Sequence, residues 1–274
     1  MFIYYMINHL LIFCIIILFI YLNINLYKIK KDKVEHFANK NYNSILNNIY
    51  CINLDRSKNR WNYINNEAKN QGLYINRFSA IDGKNILLKN IKKVCTKNYF
   101  NKIKNDKSIY GNIGCYFSHL NLLRKLKEEN VENALIIEDD IKFVKNFKSK
   151  LINNLKYIPD DWDIIYLGIT RPCGKRYLKN IFIPKEKKCR LDNGGAFAYI
   201  VNRKSIKKIL NFINDKKIDN MIDHTYREYF KYLNVYIMYP FLVNHNYNLE
   251  SDRKFSKYYN SNYINKSKNI KIIN

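Results

Sequence analysis

Seven residues constrain this chain most: Ala134-Leu135-Ile136-Ile137, followed at once by Glu138-Asp139-Asp140. Four consecutive apolar residues read as a strand buried on both faces. The three carboxylates at its end repel one another near neutral pH. Burying any of them is costly without a cation or strong donors. Oxygen clusters of this kind hold hard divalent metals, and open α/β sheets bind ligands at the carboxyl ends of their strands. A solvated acidic turn that closes a strand fits the same seven residues, so the local pattern leaves both readings open.

The surrounding chain favours a sheet covered by helices. Strands are expected over Ile49–Leu54, Tyr74–Phe78, Trp162–Leu167, Ala196–Val201 and Val235–Tyr239. Helices are expected over Lys58–Asn70, Gly111–Glu129, Leu151–Tyr157, Ser205–Ile213 and Asn220–Tyr232. Strands alternating with helices argue for an α/β sheet covered on both faces. At 274 residues the chain is long enough for one sizeable domain of this kind.

Residues 1–27 are apolar and lack formal charge, which suits a transmembrane signal anchor of roughly 20 residues. A cleaved signal peptide is the alternative, but no basic segment precedes the apolar run. Residues 28–47 are polar and read as a stalk, the folded domain as 48–253, and 254–274 as a loose basic tail. Lys28, Lys30, Lys31 and Lys33 would keep the downstream domain cytosolic by the positive-inside rule. Lysine is abundant everywhere, however, and Asn265-Lys266-Ser267 is a glycosylation sequon, so lumenal and cytosolic placements both stay open.

The net charge of +25 would suit an anionic partner such as nucleic acid, a membrane or a nucleotide. The lysines are spread along a chain rich in Asn, Ile and Tyr, a pattern of A+T codon bias rather than of a basic arm. A nucleic-acid-binding role is therefore not expected. The six cysteines form no CxxC and no zinc spacing, although a single bridge such as Cys173–Cys189 stays open.

Further short motifs fall in order along the chain. They are Ile52-Asn53-Leu54-Asp55-Arg56 with Arg60, Ala80-Ile81-Asp82-Gly83, and Gly111-Asn112-Ile113-Gly114-Cys115 with Ser118-His119. Then come Ile137 to Asp140, Asp163 to Gly168, Gly194 to Tyr199, Ile218-Asp219 and Ser251-Asp252. Together they resemble glycosyltransferase family 25, which includes bacterial lipooligosaccharide galactosyltransferases and collagen hydroxylysine galactosyltransferases. Two departures stand out: Asn112, where the family usually has Glu, and Gly195, where Thr or Ser is common. They leave a non-catalytic family member as an alternative.

The resemblance implies a GT-A-like nucleotide-sugar-binding α/β domain with a mixed, mostly parallel sheet. It implies a metal-dependent, inverting transferase that moves a hexose, chiefly galactose, from a UDP-sugar to a glycan, lipid-linked or protein acceptor; UDP-glucose is the rival donor. Mn²⁺ or another divalent cation would neutralise the diphosphate as UDP leaves. Glu138 and Asp140 stand two apart, so on an extended segment they point to one side and Asp139 to the other. His245 sits where collagen-type members carry a His and is a candidate third ligand, or else a surface histidine.

On the donor side, Asn53 suits an edge of uracil, Asp55 and Arg56 the ribose region, and Arg60 the diphosphate. Asp55 equally suits an N-cap, and Asp82 either donor contact or a turn. Asp139 belongs with the donor-binding set. His119 cannot form a dyad with Ser118, because adjacent helical residues point about 100° apart. It is expected to support the acidic loop or to touch the donor. Inversion requires one base for the acceptor hydroxyl. Asp219 and Asp223 are the candidates, at i and i+4 of the expected helix; Asp219 matches the family position.

Overall fold

The computed structural model describes residues 14–25, 27–28, 43–106, 109–184, 189, 193–214, 216–246, 248–249 and 270–272. Residues 14–25 are helical (α1), and Ile16, Leu18, Phe19 and Leu22 on it are exposed. No helix among the described residues is long and apolar enough to cross a membrane. Much of the expected anchor, most of the stalk and tail, Ser251-Asp252 and the sequon lie outside the described residues.

From Asn43 onward the elements alternate as expected, with additions. They run α2 (Asn43–Asn47), β1 (Ile49–Asn53), α3 (Lys58–Asn70), β2 (Asn76–Ser79), a 3-10 turn (Gly83–Asn85), α4 (Leu88–Val94) and α5 (Lys97–Asn105). Next come α6 (Tyr110–Glu128), β3 (Asn133–Glu138), β4 (Ile141–Phe143), α7 (Phe147–Leu155), β5 (Ile164–Thr170), β6 (Cys173–Leu178) and β7 (Ile181–Ile183). The chain continues with β8 (Gly194–Asn202), α8 (Arg203–Asn214), α9 (Ile222–Tyr229), β9 (Val235–Met238), β10 (Val243–His245) and β11 (Lys271–Ile272).

Among the described residues the main sheet has nine strands in the order β11-β6-β7-β9-β5-β8-β3-β1-β2. The β2–β1, β1–β3, β5–β9 and β11–β6 pairs are parallel. The β3–β8, β5–β8, β6–β7 and β7–β9 pairs are antiparallel. The sheet is mixed as expected but not mostly parallel. Strand β8 enters its centre against both neighbours, and the β6–β7 hairpin extends one flank.

The apolar run of β3 is buried on both faces. Ala134 and Ile136 pack with α6, α8 and α9, and Leu135 and Ile137 pack with α3 and α7. Burying each such Leu or Ile side chain contributes roughly 1.5–3 kcal/mol. This is why the strand can hold a costly acidic group at its end. Two stretches read as peripheral also join the fold. Ile45 of α2, within the expected stalk, is 1% exposed, and Lys271–Ile272, within the expected tail, pair with Cys173–Gly174. The Cys173–Cys189 disulfide forms.

A small second sheet completes the frame. Strand β10 pairs antiparallel with β4, setting His245 opposite Ile141, the residue after the acidic run.

Candidate active site

Strands β1 and β3 are parallel, with Ile52 opposite Glu138, so their carboxyl ends emerge side by side. That register brings Asn53 to Asp139. Asn53 is buried, and its Nδ2 donates to Asp139 Oδ2 at 2.6 Å and to the Ser57 carbonyl at 3.2 Å. Its Oδ1 accepts from Arg77 Nε at 2.8 Å. With these bonds made, Asn53 supports Asp139 and is itself held by Arg77.

Arg60 lies in the first turn of α3, which packs beside β1. Its Nη2 meets both Asp139 Oδ1 and Asp140 Oδ2, the latter at 2.6 Å. One guanidinium therefore serves two buried carboxylates. Burial pushes the Asp139 carboxyl up to about 6. Arg60 and Asn53 pull it back, while Asp140 and Glu138 push it further up.

Asp140 has a second neighbour, His245, whose Nε2 is 3.5 Å from Oδ2. That is long for a hydrogen bond. The Asn246 amide donates to the Asp140 carbonyl at 2.7 Å, and the Phe197 ring stands edge-on to the imidazole. Asp140 Oδ1 is buried with no hydrogen-bond partner among the described residues. A bare carboxylate oxygen beside an imidazole is a donor set able to take a divalent cation.

Glu138 makes different contacts. Its Oε1 is 3.4 Å from His119 Nε2 and 3.9 Å from Cys115 Sγ. The pairing of Glu138 with Asp140 across an extended segment is not the observed arrangement. Strand β3 stops at Glu138 and residues 139–140 form a turn, so alternation ends there. Asp139 and Asp140 share Arg60, and Glu138 turns toward α6. His119 is fully buried and supports the acidic loop, with its Nδ1 2.9 Å from the Tyr199 hydroxyl.

The outer part of the site follows β1. Asp55 does not cap α3; Ser57 occupies the N-cap position. Asp55 is exposed, accepting from Ser79 Oγ at 2.8 Å and from Arg77 Nη2 at 2.7 Å. The Ser79 hydroxyl first, then Arg77, holds its carboxyl below the usual range. Arg77 and Ser79 stand two apart on β2 and so share its exposed side. That alternation was the signal available in the sequence for these two residues.

Asp82 meets Arg56 Nε at 2.7 Å and accepts the Lys84 amide at 3.1 Å. Burial raises the Asp82 carboxyl, but these contacts outweigh it and leave it lowered. The turn that carries Asp82 is seated tightly on α6. A Cβ on Gly83 would fall 1.8 Å from the Tyr110 carbonyl oxygen, and one on Gly114 would fall 2.4 Å from that of Ile81. Ser118 Oγ accepts the Ile81 amide at 2.8 Å, which gives that residue a structural task.

The two candidate bases separate. Helix α9 begins at Ile222, so Asp219 precedes it, exposed, after a bridge between Cys95 and Ile218. The shared helical face expected for Asp219 and Asp223 is absent. Asp223 lies in the first turn, and its Oδ2 accepts the Gly195 amide at 2.7 Å. Gly195 has φ +86°, a conformation that suits glycine at this departure from the family pattern.

A family model described as "Glycosyltransferase family 25 (LPS biosynthesis protein)" matches residues 46–226. A "Glycosyltransferase 25 family member" of Aedes aegypti is 31% identical over 152 residues, which cover 52% of this chain and 24% of that protein. "Procollagen galactosyltransferase 2" of Homo sapiens is 30% identical over 129 residues, covering 45% of this chain and 21% of that protein. The matched region thus spans about a quarter or less of these relatives' own length. A solved glycosyltransferase "involved in the glycosylation of the major capsid of PBCV-1" aligns over 74% of this chain and 93% of its own, with a TM-score of 0.43 and 8% identity.

Proposed function

This chain belongs to glycosyltransferase family 25, and we propose that it is a glycosyltransferase that moves galactose from UDP-galactose to a glycan or to a collagen-like hydroxylysine acceptor, inverting the anomeric carbon on a GT-A-like domain. The observation that carries this reading is the pair Asp139 and Asp140, held by Arg60 at the carboxyl ends of β1 and β3 with His245 alongside. It is the place in an open α/β sheet where a charged ligand is received.

The residues present fit a divalent cation. Asp140 offers a buried, unpartnered oxygen, and His245 offers an imidazole beside it. These two would hold Mn²⁺, which supplies Lewis-acid neutralisation of the departing diphosphate. Arg60 keeps Asp139 and Asp140 compensated in the protein alone and presents a guanidinium where phosphate oxygens would arrive. Asp55 and Arg77 on the exposed rim are suited to ribose hydroxyls.

Asp219 is the base in this reading. Its carboxylate is exposed, whereas Asp223 spends an oxygen on the Gly195 amide and positions that turn. The exposed apolar residues of α1 support a membrane anchor over residues 1–27, and the Cys173–Cys189 bridge supports an oxidising compartment for the domain.

The test is UDP release and sugar transfer across a panel of UDP-sugars with and without Mn²⁺, using the full chain in detergent. UDP-galactose should lead and Mn²⁺ should be required. Equal rates with chelator, or preference for UDP-glucose, would remove the corresponding part of the proposal. Asp219→Asn should cut transfer by ~10²–10⁴-fold and leave UDP-sugar affinity unchanged. If Asp223→Asn is instead the dead variant, the two roles are reversed.

A further inference from the structure

We propose that Cys115, His119 and Glu138 form a separate binding site for a thiophilic divalent cation of the zinc class. Helix α6 sets Cys115 and His119 one turn apart on one face, and β3 delivers Glu138 against that face. The thiol sulfur, an imidazole nitrogen and a carboxylate oxygen all lie within 4.8 Å of one another. Zinc bonds of about 2.0–2.3 Å place tetrahedral donors roughly 3–4 Å apart. The Glu138 Oε1 distances of 3.4 Å to His119 Nε2 and 3.9 Å to Cys115 Sγ already match that spacing. Cys115 and His119 thus both reach the same Glu138 oxygen, which gathers the three groups around one point.

A second observation concerns His119 itself. Its ring is fully buried, and Nδ1 is 2.9 Å from the Tyr199 hydroxyl, which in turn is 3.2 Å from the Tyr226 hydroxyl. Histidines that ligate metals are oriented in this way, with the far nitrogen engaged and the near one turned to the ion. Sulfur, nitrogen and oxygen together select zinc-class ions over magnesium, calcium or manganese. Asp140 and His245 offer no sulfur, so the two sites differ in chemistry. On binding, the Cys115 thiol gives its proton to solvent. The thiolate and the Glu138 carboxylate then balance the two positive charges. The bound ion ties α6 to the end of β3 and holds Glu138 off the Asp139–Asp140 turn. The site does not depend on the donor or acceptor proposed above.

The test is a Co²⁺ titration of the metal-stripped full chain in detergent, with saturating Mn²⁺ occupying oxygen-rich sites. One equivalent of Co²⁺ should give thiolate-to-metal charge-transfer absorption that Zn²⁺ abolishes. Cys115→Ser should remove this band with an unchanged far-UV circular dichroism spectrum, and Cys95→Ser should keep it. Tyr199→Phe, which removes only the hydroxyl behind His119, should weaken Co²⁺ binding by about 10–100-fold. Should Cys115→Ser fail to fold, Glu138→Gln provides the second measurement, and affinity must fall there too. No thiolate band, a band that survives Cys115→Ser, or unchanged affinity in Glu138→Gln would each overturn the proposal.

Discussion

Glu138 and Asp139 are consecutive residues supported by opposite means. Asp139, with Asp140 beside it, is held by the formal charge of Arg60 and by the amide of Asn53. Glu138 faces the imidazole of His119, which is braced through Tyr199 to Tyr226 by uncharged hydroxyls. One side is a compact ion cluster at a turn, and the other is a polar chain threaded through the core. The two sides are therefore vulnerable in different ways. Charge held by charge fails when one partner is removed, because the remainder is left buried and uncompensated. A chain of polar contacts loses one bond at a time.

The largest effect should come from Asp140→Asn, which keeps the shape but removes a carboxylate charge where charge develops during transfer. Transfer should fall at least ~10²-fold with the fold intact by circular dichroism. Near-normal transfer at subsaturating Mn²⁺ would show that the ion cluster has no part in the chemistry.

Arg60→Met should destabilise the domain by about 3–5 kcal/mol, the usual cost of stripping one partner from a buried pair, read from urea unfolding followed by tryptophan fluorescence. Arg60→Lys should recover only part, since a point charge cannot fork between two carboxylates. Full recovery would mean that geometry is irrelevant to the cluster.

The charged side should also titrate. Asp139 keeps its proton up to about pH 6 when folded, against the ordinary value of 3.8. Between roughly pH 4 and 6 the native state binds the extra proton, so this group's contribution to stability falls as pH rises through that window and is flat above it. Unfolding midpoints compared between wild type and Asp139→Asn should show the slope only in wild type. A wild type without that slope would place the Asp139 proton elsewhere.

The smallest effect belongs to the Glu138 side. Tyr199→Phe should cost about 1–3 kcal/mol by leaving His119 with an unmet group. A loss as large as that of Arg60→Met would erase the distinction between the two sides.

Parts of this contrast were legible in the sequence. Ile49–Asn53 and the residues before Glu138 are short apolar runs, Lys58–Asn70 is a longer polar segment with spaced apolar residues, and each forms the expected element. The acidic run itself was legible as a site, but its internal geometry was not. Alternation predicted Glu138 and Asp140 together, and it failed because pairing with β1 reaches only Glu138. His245 is placed by a three-residue strand whose partner lies about a hundred residues earlier, and no local pattern announces such a pairing. Tyr199 looks like any aromatic in a buried strand. Its hydroxyl becomes informative only once α6 brings His119 against it. The evenly divided sheet was hidden for a similar reason, since strand direction depends on which neighbours a strand finds.

Strand β8, inserted between β3 and β5, has a consequence for the order in which the molecule assembles. β1, α3, β2 and β3, which carry Asn53, Arg60 and the acidic turn, all precede β8 along the chain. Until residues 194–202 arrive, β3 presents an open edge, the kind of surface that recruits other chains. His245 is later still, because β4 must wait for β10. In chain order the acidic turn comes first, the strand that covers the edge of β3 next, and the strand that carries His245 last.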